Sequence, residues 1–239
     1  MKICVFDIEA NGLEPTKIHC LVASIFSNGK WVQKTTSNYN DMRRFFIGAD
    51  VVIGHNIMRW DIPVVERLLE IKVSAKIVDT LALSWYIYPE GVDGKQKHGL
   101  EDWGEHFGVP KPKITEGEWI GPLEGETQEQ FQAKMEHRCQ EDVKINCALW
   151  DKQLQDLHKI YEDKEGEKKL IDYLMFKMYC ARKAEESRWK LDVDKCKEAL
   201  DKLSSEKEAK VKELSEAMPK VVNTKVVKKP DNMYLKGKT

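Results

Sequence analysis

The chain has 239 residues and a mass of 27.7 kDa, enough for one large domain or a domain with an appendage. It is 41% hydrophobic and 33% charged, with only 14 glycines and 8 prolines, which excludes a collagen-like, low-complexity or wholly disordered chain. Thirty-nine basic residues against 40 acidic ones leave a formal charge of −1, and bulk charge of that kind argues against a nucleic-acid partner. The charge is unevenly placed, however. Pro219 to Thr239 hold six lysines and one acid, a net of +5, which leaves −6 on the rest of the chain. That asymmetry hints at a polyanionic partner; the plain alternative is a solvated end. The six cysteines (4, 20, 139, 147, 180, 196) form no CxxC pair and show no metal-ligand spacing with histidine. Lys2 leads straight into a strand-like run without a signal peptide, and no apolar stretch approaches the ~20 residues that span a bilayer. The expected setting is a reducing cytoplasm, with no membrane partner.

Ile3 to Phe6 is a continuous apolar run, as in a strand buried on both faces, and it leads into Asp7. Cys20 to Phe26 predicts a second strand, Asn28-Gly29 a hairpin turn, and Trp31 to Thr36 the returning strand. The first three elements thus form an antiparallel meander. A polar helix over Tyr39 to Ile47, a strand over Val51 to Gly54, a helix over Ile62 to Ile71 and a short strand ending at Val78-Asp79 follow. Strands alternating with helices predict parallel pairing, hence an α/β fold with a mixed sheet flanked by helices. From Leu81 the pattern is helical, and Leu100, Trp103 and Phe107 recur at helical spacing. Lys111 to Glu126 reads as a loop. Thr127 opens a helix with a capping box closed by Gln130, running to about His158. Lys164 to Lys168 reads as a charged joint before two more helices, Leu170 to Glu186 and Val193 to Ala217. The expected domains are therefore 1–160 and a helical extension over 161–239 that ends in the basic tail.

The chemistry concentrates in acids. Asp7 and Glu9 flank Ile8 at a strand exit, and alternation sends both carboxylates to one face. Two such acids repel, and a divalent cation between them relieves the repulsion. Asp61 follows Gly54-His55-Asn56 and precedes Ile62-Pro63, where it reads either as a helix N-cap or as a third acid of the same site. His137 and Asp142 lie on the long helix, about 140° apart around its axis. In this order the acids suit two-metal hydrolysis of a phosphodiester: carboxylates hold two Mg²⁺ or Mn²⁺ ions while a base takes the proton of the attacking water.

The arrangement resembles the DEDD superfamily of 3′–5′ exonucleases, which implies a ribonuclease H-like fold. The match is closer over Phe6-Asp7-Ile8-Glu9-Ala10-Asn11-Gly12-Leu13, Lys17-Ile18-His19-Cys20, Gly54-His55-Asn56 through Asp61-Ile62-Pro63, Asp79 to Ser84 and His98 to Gly104. Together these are similar to the N-terminal proofreading domain of bacteriophage family A (DNA polymerase I-type) polymerases, over about residues 1–160. Ala184 to Asp192 and the helix after it resemble the start of such a polymerase's thumb. The resemblance implies that Asp7 bridges both metals, that Glu9 and Asp142 ligate the catalytic one, and that Asp61 serves the second. It further implies that Leu13 wedges against the terminal base, with His55 and Asn56 beside it. Asp79 is expected to brace the sheet, and Trp60 to fill the core. Relatives of this type usually carry a tyrosine four residues before the last aspartate. Here that position is Arg138, which is no base at neutral pH. His137, one residue earlier, fits the His-x4-Asp spacing of the superfamily's histidine branch and is the expected general base.

The resulting expectation is a metal-dependent exonuclease on single-stranded DNA or a frayed primer 3′ end, partnered by the rest of a polymerase if the chain is a fragment, and placed in the host cytoplasm if viral. The alternatives are a ribonuclease with the same acids and a catalytically quiet nucleic-acid-binding domain.

Overall fold

The apolar run that opens the chain becomes the central strand of a five-stranded mixed sheet. The computed structural model describes residues 1–218 except 28, 162 and 189, and the side chains of these except 27 and 116. Asn28 of the expected turn and the basic tail therefore lie outside the described residues. The strands are β1 (Ile3–Ala10), β2 (Ile18–Ser27), β3 (Lys30–Thr36), β4 (Val51–Gly54) and β5 (Lys76–Asp79), in the spatial order β3-β2-β1-β4-β5. β2 pairs antiparallel with β1 and with β3, while β4 pairs parallel with β1 and with β5. This is the α/β class and the mixed sheet expected, and it is consistent with a ribonuclease H-like fold.

Strand alternation decides what each face of β1 meets. Cys4, Phe6 and Ile8 point into a core built with α1 (Tyr39–Ile47) and α2 (Asp61–Leu68), against Met42, Phe46, Ile62 and Val65. Ile3 and Val5 face the opposite core, packed by α5 (Gln128–Ile160) through Phe131, Met135, Cys139 and Val143. Asp7 and Glu9 continue that second row. They stand on the face that the long helix covers, opposite Val22 and Cys20 of β2. The pairing slips between Glu9 and Ala10, a bulge of the kind that re-aims side chains where a ladder ends.

Most helix boundaries follow local chemistry. Asn38 caps α1 by accepting from the backbone N–H of Asn40 and Asp41. α2 stops at Leu68 rather than Ile71, because Glu70 takes a left-handed conformation (φ 54°). α3 (Thr80–Ile87) is capped by Asp79, and α4 (Leu100–Phe107) packs Leu100 and Trp103 on Ile145 and Leu149 of α5. The expected loop before α5 contains a short 3-10 turn, Glu116–Trp119, held by a capping box between Thr115 and Glu118. Thr127 and Gln130 form the capping box that starts α5. The charged segment Lys164 to Lys168 is helical, not a joint. Asp163 caps Gly166 N at 2.6 Å, and α6 (Lys164–Glu186) begins there. α6 adds Ile171, Leu174, Met175 and Met178 to the second core.

The chain divides into two units, Met1–Arg188 and the residues from 189 onward. The described part of the second unit is α7 (Val193–Ala217), whose N-cap Asp192 accepts from Lys195 N at 3.1 Å. Among the described residues, no helix is long and apolar enough to cross a membrane.

Candidate functional site

Where β1 ends under α5, three carboxylates converge. One oxygen each from Asp7, Glu9 and Asp142 lies within 4.8 Å of the others. Asp142 reaches them because it shares the buried side of α5 with Met135, Cys139, Val143 and Asn146. The thiol of Cys139 donates to the backbone oxygen of Asp7 at 3.2 Å and lies 3.5 Å from its carboxylate, tying the helix to the strand. The acids line a cavity of about 500 Å³, and Asp61 lines it too. Asp61 is the first residue of α2, while Trp60 holds the capping position without a side-chain bond. The N-cap reading is thereby corrected: the carboxylate of Asp61 faces the cavity instead of closing its own helix. Its Oδ1, like Oδ1 of Asp142, is buried without a hydrogen-bond partner.

Burial is the largest cause in raising the pKa of each of these acids, and repulsion from neighbouring carboxylates adds to it at Asp7, Glu9 and Asp61. Asp7 is pushed up to about 7, by burial and then by Asp142, and Glu9 to about 9, by burial and then by Asp7. Asp61 and Asp142 are raised as well, chiefly by burial. Two cations temper the repulsion. Lys111 Nζ lies 2.6 Å from Asp142 Oδ2, and Arg138 Nε lies 3.0 Å from Glu9 Oε1.

The rim carries the residues expected to hold substrate. Leu13 lines the cavity yet is 89% exposed, an apolar side chain standing free at the mouth. Its carbonyl accepts from Trp60 Nε1 at 3.3 Å, so Trp60 packs on the first core and also borders the cavity. His55 and Asn56 follow Gly54, where a Cβ would collide with Ile57 and lie 3.0 Å from the carbonyl of Phe6, so a larger residue would displace the strand exit. The imidazole Nδ1 of His55 meets Thr80 Oγ1 at 3.0 Å, and Thr80 in turn reaches Asn146 Oδ1 at 2.8 Å. Burial, helped by the charge of Lys111, lowers His55 to about 3, so it is neutral at any working pH. Asn56 sits at φ 61°, its N–H donating to Asp79 Oδ1 at 2.9 Å. Asp79 also accepts from Met58 N and Leu81 N at 3.0 Å each, which is the bracing role expected of it.

His137 is not brought to the cavity. It is exposed on α5, which runs unbroken through both residues, and the 140° between it and Asp142 keeps it off the lining. Its neighbour Arg138 lines the cavity instead. If the cavity proves to hydrolyse phosphodiesters, His137→Ala should keep turnover within about threefold of the parent, well short of the ~10²–10⁴-fold that a general base contributes; a hundredfold loss in a steady-state assay would restore it as the base. Sequence reasoning also missed Lys111, Trp119 and Leu100 in the lining. Helical phase relative to Asp142 was the available signal for Arg138. Lys111 and Trp119 arrive from a loop whose course no local pattern foretells.

A scan against protein-family models finds no match, and a sequence search of curated proteins finds none either. Among solved structures, the chain is similar to the family B DNA polymerase from the hyperthermophilic archaeon Pyrobaculum calidifontis, at 18% identity and a TM-score of 0.48, over 66% of this chain and 25% of that one. The chain thus spans about a quarter of that polymerase's length.

Proposed function

We propose that this chain carries a divalent-metal-dependent 3′–5′ exonuclease acting on DNA 3′ ends, the proofreading part of a bacteriophage family A polymerase working in the host cytoplasm. The observation that carries the reading is the convergence of Asp7, Glu9 and Asp142 within 4.8 Å in a cavity that Asp61 also lines. The donor set fits Mg²⁺ or Mn²⁺: every group is a hard carboxylate oxygen, and the unpartnered Oδ1 atoms of Asp61 and Asp142 supply free lone pairs. Bound there, two such ions would supply Lewis acidity to the scissile phosphate and make a bound water more acidic than bulk water. The polymerase type, the polarity and the choice of DNA rest on the motif resemblance described above.

The chain's own residues then divide the work. Asp7, Glu9, Asp61 and Asp142 hold the ions, and the covering of α5 keeps bulk water from the carboxylates. Leu13, 89% exposed at the cavity mouth, offers an apolar wedge against the last base. His55 and Asn56 present buried polar atoms, Nε2 and Oδ1, that lack partners and suit contacts to the terminal nucleotide. All of these residues fall within 1–160, so in this reading 161–239 joins the nuclease to the polymerase that is its partner.

The test is a 5′-labelled single-stranded DNA, and the same sequence as RNA, incubated with Mg²⁺ and sampled over time. Stepwise shortening of the DNA that a chelator abolishes is the expected result. Shortening of RNA alone would make the chain a ribonuclease, and no shortening of either strand would leave a nucleic-acid-binding domain.

A further inference from the structure

Arg138 sits where it obstructs the proposed metal site. Its Nε is 3.0 Å from Glu9 Oε1, yet no hydrogen bond is aligned there, because Nε counts among the buried atoms without a partner. The guanidinium is held instead from its other sides. One terminal nitrogen donates to the carbonyl of Pro112, and the ring of Trp119 lies 4.9 Å away. Trp119 is itself anchored, its carbonyl 2.8 Å from His19 Nε2. Beyond Arg138 lies a second cavity of about 300 Å³, lined by Lys111, Pro112, Lys113, Ile114, Glu101 and Arg138 itself. Three cations against one acid give this cavity a positive character, and Lys113 Nζ stands 3.9 Å from that acid. Arg138 and Lys111 therefore form a wall shared by an acidic cavity and a basic one.

A divalent ion on Glu9 and a guanidinium 3.0 Å from the same carboxylate are both cations and repel each other. The two holds that do not involve Glu9, Pro112 and Trp119, survive the exchange. The freed face of a guanidinium is a planar fork of donors matched to phosphate oxygens. Resting on the metal-site reading above, we infer that Arg138 is a two-position residue: it rests against Glu9 in the metal-free protein and grips a substrate phosphate once a divalent ion takes Glu9. The basic cavity beside it is then the seat of a backbone phosphate next to the cleaved one. In this reading the arginine at the tyrosine position is a positioning group, not the mark of a decayed site.

The test uses the full chain as parent, Arg138→Met and Arg138→Lys. Calorimetry with Mn²⁺ alone is paired with fluorescence anisotropy of a labelled single-stranded oligonucleotide in Ca²⁺ across a salt series. Arg138→Met is expected to bind Mn²⁺ about threefold or more tightly, because nothing must be displaced. It should bind the oligonucleotide about tenfold more weakly, with a salt slope smaller by about one. Arg138→Lys keeps the charge without the fork, so an intermediate oligonucleotide affinity is expected; if Arg138→Met does not fold, this variant carries the test. Unchanged oligonucleotide affinity in the variant that folds, or weaker Mn²⁺ binding, overturns the inference. A parent that binds no Mn²⁺, or binds it equally well with Asp7→Asn, overturns the metal-site reading and this inference with it. A parent that binds Mn²⁺ through Asp7, with Arg138 variants indistinguishable from it, overturns this inference alone.

Discussion

Asp7→Asn is expected to lower Mg²⁺-stimulated shortening of single-stranded DNA by at least about a thousandfold, or ~4 kcal/mol of transition-state stabilisation. Asparagine preserves the shape of the side chain and removes the charge, so the comparison isolates metal binding from packing. Asp7 is the right position for it. It occupies the row of β1 that faces α5, and an oxygen of its carboxylate lies within 4.8 Å of oxygens of both Glu9 and Asp142. The same substitution should raise the stability of the metal-free protein, because burial and Asp142 both disfavour the charged form. Loss of activity with a gain in thermal midpoint is a pairing that damage to the fold does not produce. Parent-level shortening by the variant would sink the metal-dependent mechanism.

The second large effect is on stability as a function of pH. Asp7 and Glu9 are raised from ordinary values of 3.8 and 4.5 to about 7 and about 9. A raised acid contributes its stability below its unfolded pKa and loses it as pH climbs through the folded pKa, since the folded state then holds protons that the unfolded state has released. The metal-free protein should therefore lose stability steadily from about pH 4 to pH 9. Each group that is protonated only in the folded state contributes a slope of about −1.4 kcal/mol per pH unit. Divalent ions compete with those protons, so the midpoint gain from Mg²⁺ or Mn²⁺ should grow with pH over the same window. Urea midpoints at several pH values, with chelator and with Mn²⁺, measure both trends, and Asp7→Asn should flatten the first. Midpoints that stay level or rise between pH 5 and pH 8 in chelator would show that the acids are not held in this way.

Much of this site could be read before any coordinates. Ile3 to Phe6 declared a strand buried on two faces, and alternation from it put Asp7 and Glu9 on one side. Tyr39–Ile47 and Val51–Gly54 have the predicted ends because polar periodicity and an apolar tetrad are local signals. Asp61 was ambiguous for a physical reason: a carboxylate at a helix start serves a cap or a cavity equally well, and only tertiary placement chose the cavity. The exchange of His137 for Arg138 has a similar origin. The His-x4-Asp pattern alone does not say which neighbour turns inward. The phase set by Met135, Cys139 and Asp142 does so, and it puts the face of α5 between Arg138 and Cys139. Lys111 and Trp119 were illegible because the loop that delivers them is placed by contacts far away in sequence, such as Trp119 O with His19 Nε2.

Asp79 ties together parts of the molecule that are otherwise independent. Its two oxygens accept from the amides of Asn56, Met58 and Leu81, so a segment at the cavity and the first turn of α3 hang on one side chain. Releasing the Met58 amide while the carboxylate stays put strands a buried donor, whereas releasing the carboxylate frees all three amides together. In deuterated buffer the three should exchange with a shared opening free energy, as a single cooperative latch. The segment that positions His55 and Asn56 would then be as rigid as the helix behind it.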